Sequence, residues 1–553
     1  MKLRLPRLLA EEDELDQLPE ARDEGPNDEP EPAPVPWYWS LAIVAGAAVP
    51  RLLYLFVFSD PENPGERRYG DVWHHWQIAY LTKEIGLSAP DGPRLWDLKG
   101  LDYFWGVLHP LLMVAIFDLT GSIDIVLDRL VSLLFGVAVV LLLFHLCRRY
   151  WGTHVATAVA VIASLLPTSV MNDASGMLEP LGVALCLFGL WAWPRRGGFW
   201  AGLAFGLATM ARAEAWIFGL GMVVAAFLRR HGWQQRVPLL AGFGVVMLAY
   251  MKVLQDKTGN PIYPLWWNFL ANAAGKWEFA PISAGQASVR PILGVALVLA
   301  AAGLAWSLWK RPASYMLLSF GFGYWFFVAG MLGFTSYLAS WVWWMPITRV
   351  FAFPYVFVGV LAAVVLLWWA PRRFGRRALT LGWVTLAVSL VVAQLLWLPI
   401  WQEFAPSERE WQTAVAESKM LGGWYNQPPY AGHALAVPND RPDLTYGLAR
   451  YGGVEGKHLV SEMYSPFAYL PDGYSYTDHA QTVNTLLACW FARTDIRMIA
   501  VPHDDANLQV MLQSNPGWFS YIGSMPDAAW VIVGVSAPAP STAECQAAQA
   551  ATQ

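Results

Sequence analysis

Apolar runs alternate with short polar breaks from Trp37 to about Ile400. A helix needs about 20 apolar residues to cross a bilayer. The runs at 37–58, 125–147, 154–171, 180–194, 199–213, 215–228, 237–254, 291–309, 314–333, 349–370 and 378–399 therefore predict about eleven membrane-crossing helices. Several are short, and short spans must tilt, thin the bilayer or pack inside a bundle. The run LHPLLMVAIFD at 108–118 is too short to cross and predicts a re-entrant or surface helix.

The basic residues of the breaks fix a topology. Arg148/Arg149, Arg195/Arg196, Arg229/Arg230/Arg236, Lys310/Arg311 and Arg372/Arg373/Arg376/Arg377 fall in alternate loops, which places those loops in the cytoplasm. The loop 59–124 then lies outside, and so does the C-terminus. Residues 401–553 are expected to form a small extracytoplasmic α/β domain, because ALAVP, MIAVP and WVIVGV read as short strands between helical stretches. The tail after Ser536 is expected to be disordered. Residues 1–36, acidic and proline-rich, predict a disordered cytoplasmic tail, since they hold too little apolar surface to order themselves. No apolar centre follows the basic start, so the tail is not a secretory signal.

Composition sharpens this picture. The chain of 553 residues is 56% hydrophobic and 14% charged, where soluble domains average about 25% charged. A multi-pass membrane protein follows, with its N-terminus cytoplasmic by this topology. The net charge of -5 comes without any basic stripe, so nucleic acid is not an expected partner. The four cysteines do not fix a redox compartment: Cys147 and Cys186 sit in apolar runs, and Cys489 and Cys545 are not spaced like metal ligands.

Candidate chemistry begins at GDVWHHWQIAY, residues 70–80. On a helix, Asp71, His74, His75 and Ile78 share one face, and Trp73, Trp76 and Tyr80 lie opposite. Trp and Tyr favour the headgroup level, so the helix is expected to lie on the outer surface with its rings in lipid. Its Asp/His edge would face protein or a wet cleft. Asp71 then suits a general base, with hydrogen-bonding roles for the histidines. The Asp-x-x-His-His spacing also suits a divalent metal, so these three stay open as ligands.

Arg51, Arg212, Glu214, Lys252 and Arg349 sit in or beside apolar spans, toward the outer half by this topology. An ionisable group near mid-bilayer costs about 2.5–3.5 kcal/mol on insertion scales, so such residues mark function or snorkel to the interface. Asp173 and Glu179 lie in the next outer loop, where Glu179 before Pro180 also suits a helix start. Arginine can neutralise a lipid phosphate, and a carboxylate can take a proton from an attacking hydroxyl. Together these are parts for moving a sugar from a lipid phosphate to an acceptor.

The order of these motifs resembles the GT-C superfamily of polyprenyl-phosphate-sugar glycosyltransferases, in particular bacterial relatives of protein O-mannosyltransferases and lipid A aminoarabinose transferases. GDVWHHWQIAY is similar to the acidic motif of the first outer loop. HPLLMVAIFDLTG is similar to the His-Pro-Pro juxtamembrane helix, with Leu111 in place of the second proline. RLVSLLFGVAVVLLLFHLCRRYWG, SGMLEPLG, GLATMARAEAW and TRVFAFPYVF follow in the family's order. The resemblance covers about residues 37–400. It implies a GT-C fold with juxtamembrane helices in the first outer loop, seated in the plasma (inner) membrane. It also implies a polyprenyl-phosphate sugar as donor and an extracytoplasmic glycan, lipid or protein as acceptor. Asp71 is implied as the base, supported by His74, His75, Asp173 or Glu179. Arg212 and Arg349 are implied at the donor phosphate, and Arg51 and Lys252 are further cations for it. The family often has Asp-Glu where Val72 follows Asp71 here, which leaves the partner role to a histidine. No Trp-Trp-Asp-Tyr-Gly motif is present, which disfavours oligosaccharyl transfer to sequons. The rival expectation is a transporter or flippase for a lipid-linked or small solute, whose site would be reached from both sides near mid-bilayer.

Overall fold

The structure is a computed structural model that describes residues 35–64, 71–85, 105–193, 197–228, 233–266, 316–324, 352–404, 408–437, 441–461, 479–502, 511–525 and 530–551. The expectations for tail residues 1–34, the span 291–309, most of the span 314–333, and Arg349 lie outside these residues.

Helix α1 (Trp37–Leu53) runs on into a π turn at Tyr54–Phe58. The first loop carries α2 (Asp71–Ile85) and α3 (Leu108–Thr120). Helix α4 (Ile125–Leu165) is opened by Asp124, whose side chain caps the backbone N–H of Val126. It breaks at Gly152, where φ of +84° is open to glycine and strained for other residues. The two predicted spans at 125–147 and 154–171 are therefore separate helical arms on either side of this glycine, folded back so that Val139 of one and Ala163 of the other line the same small cavity. The second half ends at Leu165, and the short α5 (Pro167–Asp173) follows.

Next come α6 (Glu179–Ala192), α7 (Gly198–Ala211), α8 (Glu214–Leu228) and α9 (Trp233–Thr258). Helices α10 (Ala352–Val364) and α11 (Arg376–Phe404) complete the apolar part. Among the described residues, five helices are long and apolar enough to cross a membrane: Trp37–Phe58, Ile125–Leu165, Arg236–Thr258, Ala352–Phe374 and Arg376–Leu396. Four shorter apolar helices accompany them.

The two arms of α4 are the hub, packed by α1, α6 and α10. Helices α6 and α7 bury most of their length, which is the in-bundle solution for a short span. Small residues allow it. A Cβ added at Gly202 would lie 2.2 Å from the Leu239 carbonyl oxygen, so α7 and α9 meet backbone to backbone.

The C-terminal part pairs helices with a five-stranded sheet. Helix α12 (Glu408–Tyr425) leads into β1 (Ala434–Val437), α13 (Pro442–Gly447) and β2 (Leu459–Ser461). Helix α14 (Ala480–Thr494), β3 (Ile496–Pro502), β4 (Phe519–Ser524), β5 (Trp530–Val535) and α15 (Thr542–Ala550) follow. The strand order is β2-β1-β3-β5-β4. The β1–β2 and β1–β3 pairs are parallel, and the β3–β5 and β4–β5 pairs are antiparallel. All three runs read as strands in the sequence are strands.

Two expectations are corrected. Residues 542–550 are helical rather than disordered. Ser541 and Glu544 form a reciprocal capping box, and Cys545 is disulfide-bonded to Cys489 on α14. The rings of α2 do not face lipid either. Trp73 stacks on Trp411 of α12 at 5.4 Å, and Trp76 meets Tyr446 of α13 edge-on at 4.8 Å. The Tyr80 hydroxyl accepts from the Gly456 N–H at 3.1 Å. The C-terminal part covers this face, so rings with polar edges serve a protein interface here.

Candidate functional site

Helix α2 begins at Asp71, whose charge is favoured in a first turn by the helix dipole. Asp71 is half-buried. The next residue, Val72, abuts the turn that links Asp173 to Glu179, because a Cβ on Gly176 would lie 2.8 Å from Val72 Cγ1. The acidic end of α2 thus lies beside the loop that carries the other two predicted carboxylates.

The histidines follow on the same edge. His74 is half-buried, with Nδ1 3.3 Å from Gln77 Oε1 and its ring 5.6 Å from Trp105. Gln77 in turn donates to the Thr445 hydroxyl at 3.2 Å. His75 is fully buried, edge-on to Trp105 at 5.2 Å and to His109 of α3 at 5.9 Å. His109 Nε2 lies 3.0 Å from Asp128 Oδ1, in a pair sealed from solvent. Burial drives the His74 pKa down to about 4 against the weaker pull of Gln77 and Asp443. Burial, then His109, His74 and Arg212, hold His75 well below its ordinary value. Both rings are neutral at neutral pH and act as hydrogen-bonding groups.

Stability then depends on acidity. Between about pH 4 and 6.5 the unfolded chain binds protons that these rings refuse, so stability is full above that window and falls as pH falls through it. Thermal unfolding in detergent should show this slope, and His74→Gln should flatten it.

Arg212 follows the end of α7, and its cation sits between two carboxylates. Nη2 is 3.1 Å from Glu214 Oε1, and Nη1 is 3.4 Å from Glu179 Oε1. Glycine makes room for this. A Cβ on Gly182, one turn beyond Glu179, would lie 2.7 Å from Arg212 Cγ. The Arg212 side chain keeps 18% of its surface exposed, while both carboxylates are 5% exposed. The cation can therefore still meet a ligand. The Tyr324 hydroxyl joins the cluster by hydrogen-bonding Glu214.

A second buried pair lies nearby. Arg51 Nε and Nη2 both donate to Asp173 Oδ2, at 2.9 and 2.7 Å. Its remaining donors go to the carbonyls of Ala47, Ser164 and Ala163. On α4, Gly136 leaves the space for Asp173, since a Cβ there would lie 2.3 Å from Asp173 Oδ2. A cavity of about 30 Å³ lies between the Arg51–Asp173 pair and Glu179, lined also by Asn172 and Tyr324 against apolar walls that include Val139 and Phe353. That holds about two waters.

The predicted residues thus divide. The structure brings the α2 edge, Asp173, Glu179, Arg51 and Arg212 around one polar region. Two of the expected cations are engaged elsewhere. The guanidinium of Arg51 is taken up by Asp173 and by the carbonyls of Ala47, Ala163 and Ser164. Lys252 is 72% exposed, pairs with Asp256 and does not line the cavity. Among the described residues no three His, Cys, Asp or Glu side chains group to hold a metal, so Asp71, His74 and His75 do not assemble as ligands. Sequence reasoning missed Glu214 as the tighter partner of Arg212, and it missed Arg129. The latter is fully buried and donates to the carbonyls of Asp60, Pro61 and Ala174 and to the Ser59 hydroxyl, pinning the first loop to α4. The Arg-x-Glu spacing was a readable signal for the first. Nothing local marked the second.

Comparison with known proteins bears on this geometry. Residues 106–254 match the family described as dolichyl-phosphate-mannose-protein mannosyltransferase. No curated protein sequence matches the chain. Among solved structures, the apo oligosaccharyltransferase of Archaeoglobus fulgidus is similar with TM-score 0.49 and 11% identity, over 91% of this chain and 75% of that one. The archaeal oligosaccharyltransferase AglB of the same organism, in complex with an inhibitory peptide and a dolichol-phosphate, is similar with TM-score 0.45 and 12% identity, over 91% and 74% of the two chains. ArnT from Cupriavidus metallidurans is similar with TM-score 0.39 and 15% identity, over 90% and 98%. Through residues 106–254 the chain thus resembles the dolichyl-phosphate-mannose-protein mannosyltransferase family, in line with the resemblance read from its motif order.

Proposed function

We propose that the protein is an integral-membrane glycosyltransferase that moves a sugar from a polyprenyl-phosphate donor to an acceptor on the extracytoplasmic face of the inner membrane, with inversion at the anomeric carbon. One observation carries this reading. A partly exposed arginine, Arg212, is held by two buried carboxylates and lies within electrostatic reach of His75, one turn along α2 from Asp71. The family match over residues 106–254 supports the donor class. The Cys489–Cys545 disulfide supports an oxidising compartment for the C-terminal part, and so an outside location.

Asp71 takes the proton of the acceptor hydroxyl as that oxygen attacks the anomeric carbon. The bond from that carbon to the phosphate oxygen breaks, and the lipid phosphate leaves with the electron pair. Charge grows on the phosphate only as the bond opens, so a preplaced cation acts mainly in the transition state. Arg212 supplies that cation, with its longer contact to Glu179 the one to yield. Arg349 is the second candidate for the phosphate. His74 and His75, neutral, support the acceptor side, and Asp173 and Glu179 hold the cations in place.

The test is purified protein incubated with radiolabelled polyprenyl-phosphate sugars and a membrane extract, with and without chelator. Label should pass to an acceptor without any added nucleotide. Label that stays wholly on the lipid contradicts the proposal. Loss of transfer in the chelator arm alone would assign a divalent metal to the reaction.

A further inference from the structure

At one edge of the sheet lies a cleft of about 310 Å³, lined by Tyr430, His433, Arg497, Ser520, Gly534 and Ser536 among others. It shares no lining residue with the cavity between Arg51 and Glu179. Its size is at the lower end of small-molecule sites, which run from about 300 to 1,000 Å³.

Asp495 organises one wall. It ends α14 in the left-handed region, with φ of 53°, at a position where glycine is commoner. A side chain kept in a sparsely populated conformation points to a task for it. Its carboxylate lies 2.7 Å from His433 Nδ1 and 3.6 Å from Arg497 Nε, so it joins the starts of β1 and β3. The carboxylate takes up Nδ1 of the His433 ring and leaves Nε2 for a further hydrogen bond. It also aims the guanidinium, whose Nη groups have no protein partner among the described residues.

The opposite wall presents hydroxyls. A Cβ on Gly534 would lie 2.7 Å from Ser520 Oγ and 2.8 Å from Tyr430 Oη, so two hydroxyls converge on the space that this glycine leaves empty. Ser536 adds a third hydroxyl beside them. The cleft thus mixes donors and acceptors, offers an aromatic ring, and has its positive charge cancelled by Asp495. That suits a neutral polyhydroxyl ligand better than a free anion. The cleft lies at the amino ends of β1 and β3, opposite the edge where open α/β sheets usually take ligands. The side chains, not the topology, therefore carry the assignment.

We propose that this cleft in the C-terminal part is a saccharide-binding site for a single neutral sugar unit, distinct from the transfer site. It does not depend on the transferase reading.

Saturation-transfer NMR on the full-length protein in detergent tests it, with the methyl glycosides of glucose, galactose, mannose and arabinose as probes and inorganic phosphate as competitor. Ring protons of at least one glycoside should receive saturation. Arg497→Gln, at an exposed position, and Gly534→Ala, which fills the space between the hydroxyls, should each weaken that glycoside about tenfold. Thermal unfolding checks that each variant folds. If Gly534→Ala fails to fold, Arg497→Gln decides. No saturation of any glycoside, a signal that survives Arg497→Gln, or displacement of the sugar by phosphate would overturn the proposal.

Discussion

Asp71→Asn is expected to lower glycosyl transfer by about two to four orders of magnitude while donor binding and folding are kept. That is about 3–5 kcal/mol of transition-state stabilisation. The reason is chemical rather than steric. Asparagine has the shape of aspartate but cannot take the proton that the acceptor oxygen sheds as it bonds to carbon. A base of this kind acts only as the bond forms, so kcat should fall with KM nearly unchanged. The helix start loses only the small dipole term of a first-turn carboxylate, about 0.3–1 kcal/mol. Neither neighbouring histidine can take over cheaply, because burial already opposes a proton on both rings. Steady-state kinetics with a labelled lipid donor provide the measurement. Wild-type kcat in the variant would remove Asp71 from the chemistry.

The second large effect concerns stability. Arg51→Met leaves the Asp173 carboxylate buried without its cation and strips donors from three carbonyls. Breaking a buried pair from one side costs about 3–5 kcal/mol, while removing both charges is often close to neutral. The double variant Arg51→Met/Asp173→Asn should therefore recover a substantial share of the loss, though not all, because the carbonyls stay unserved. A double-mutant cycle on thermal unfolding in detergent reads the coupling directly. Equal losses in the single and double variants would show that the two residues are not coupled. Since α5 ends at Asp173 and the turn beside Val72 follows it directly, the single variants should also lose transfer through displacement of α2.

The apolar runs were legible because a bilayer imposes length and polarity on each helix independently of its neighbours. The halves of α4 and the helices α6 to α9 lie close to where hydropathy puts them. The strands of the C-terminal sheet were legible for a similar reason, as short β-rich runs between breaks. What failed was long-range. Trp73, Trp76 and Tyr80 look alike in sequence whether they meet lipid or Trp411 and Tyr446, because both surroundings reward an aromatic ring with a polar edge. The last helix escaped notice because its order depends on a disulfide to Cys489, 56 residues away in sequence. At the site, residue types were legible and pairings were not. Arg51 and Lys252 read as equivalent cations, yet one is locked to Asp173 and the other is exposed beside Asp256. Gly136 and Gly182 decide which carboxylate each arginine can reach, and their effect shows only once the opposing helix is in place.

The measurement that bears most directly on the account separates bond transfer from passage. Vesicles reconstituted with the protein and a polyprenyl-phosphate sugar, labelled in the sugar, are supplied with acceptor extract, and the label is followed both chemically and across the bilayer. The account predicts label bonded to acceptor, with one lipid phosphate released for each sugar moved. Label that crosses the bilayer still joined to its phosphate, with no new glycosidic bond, would contradict it and favour a transporter.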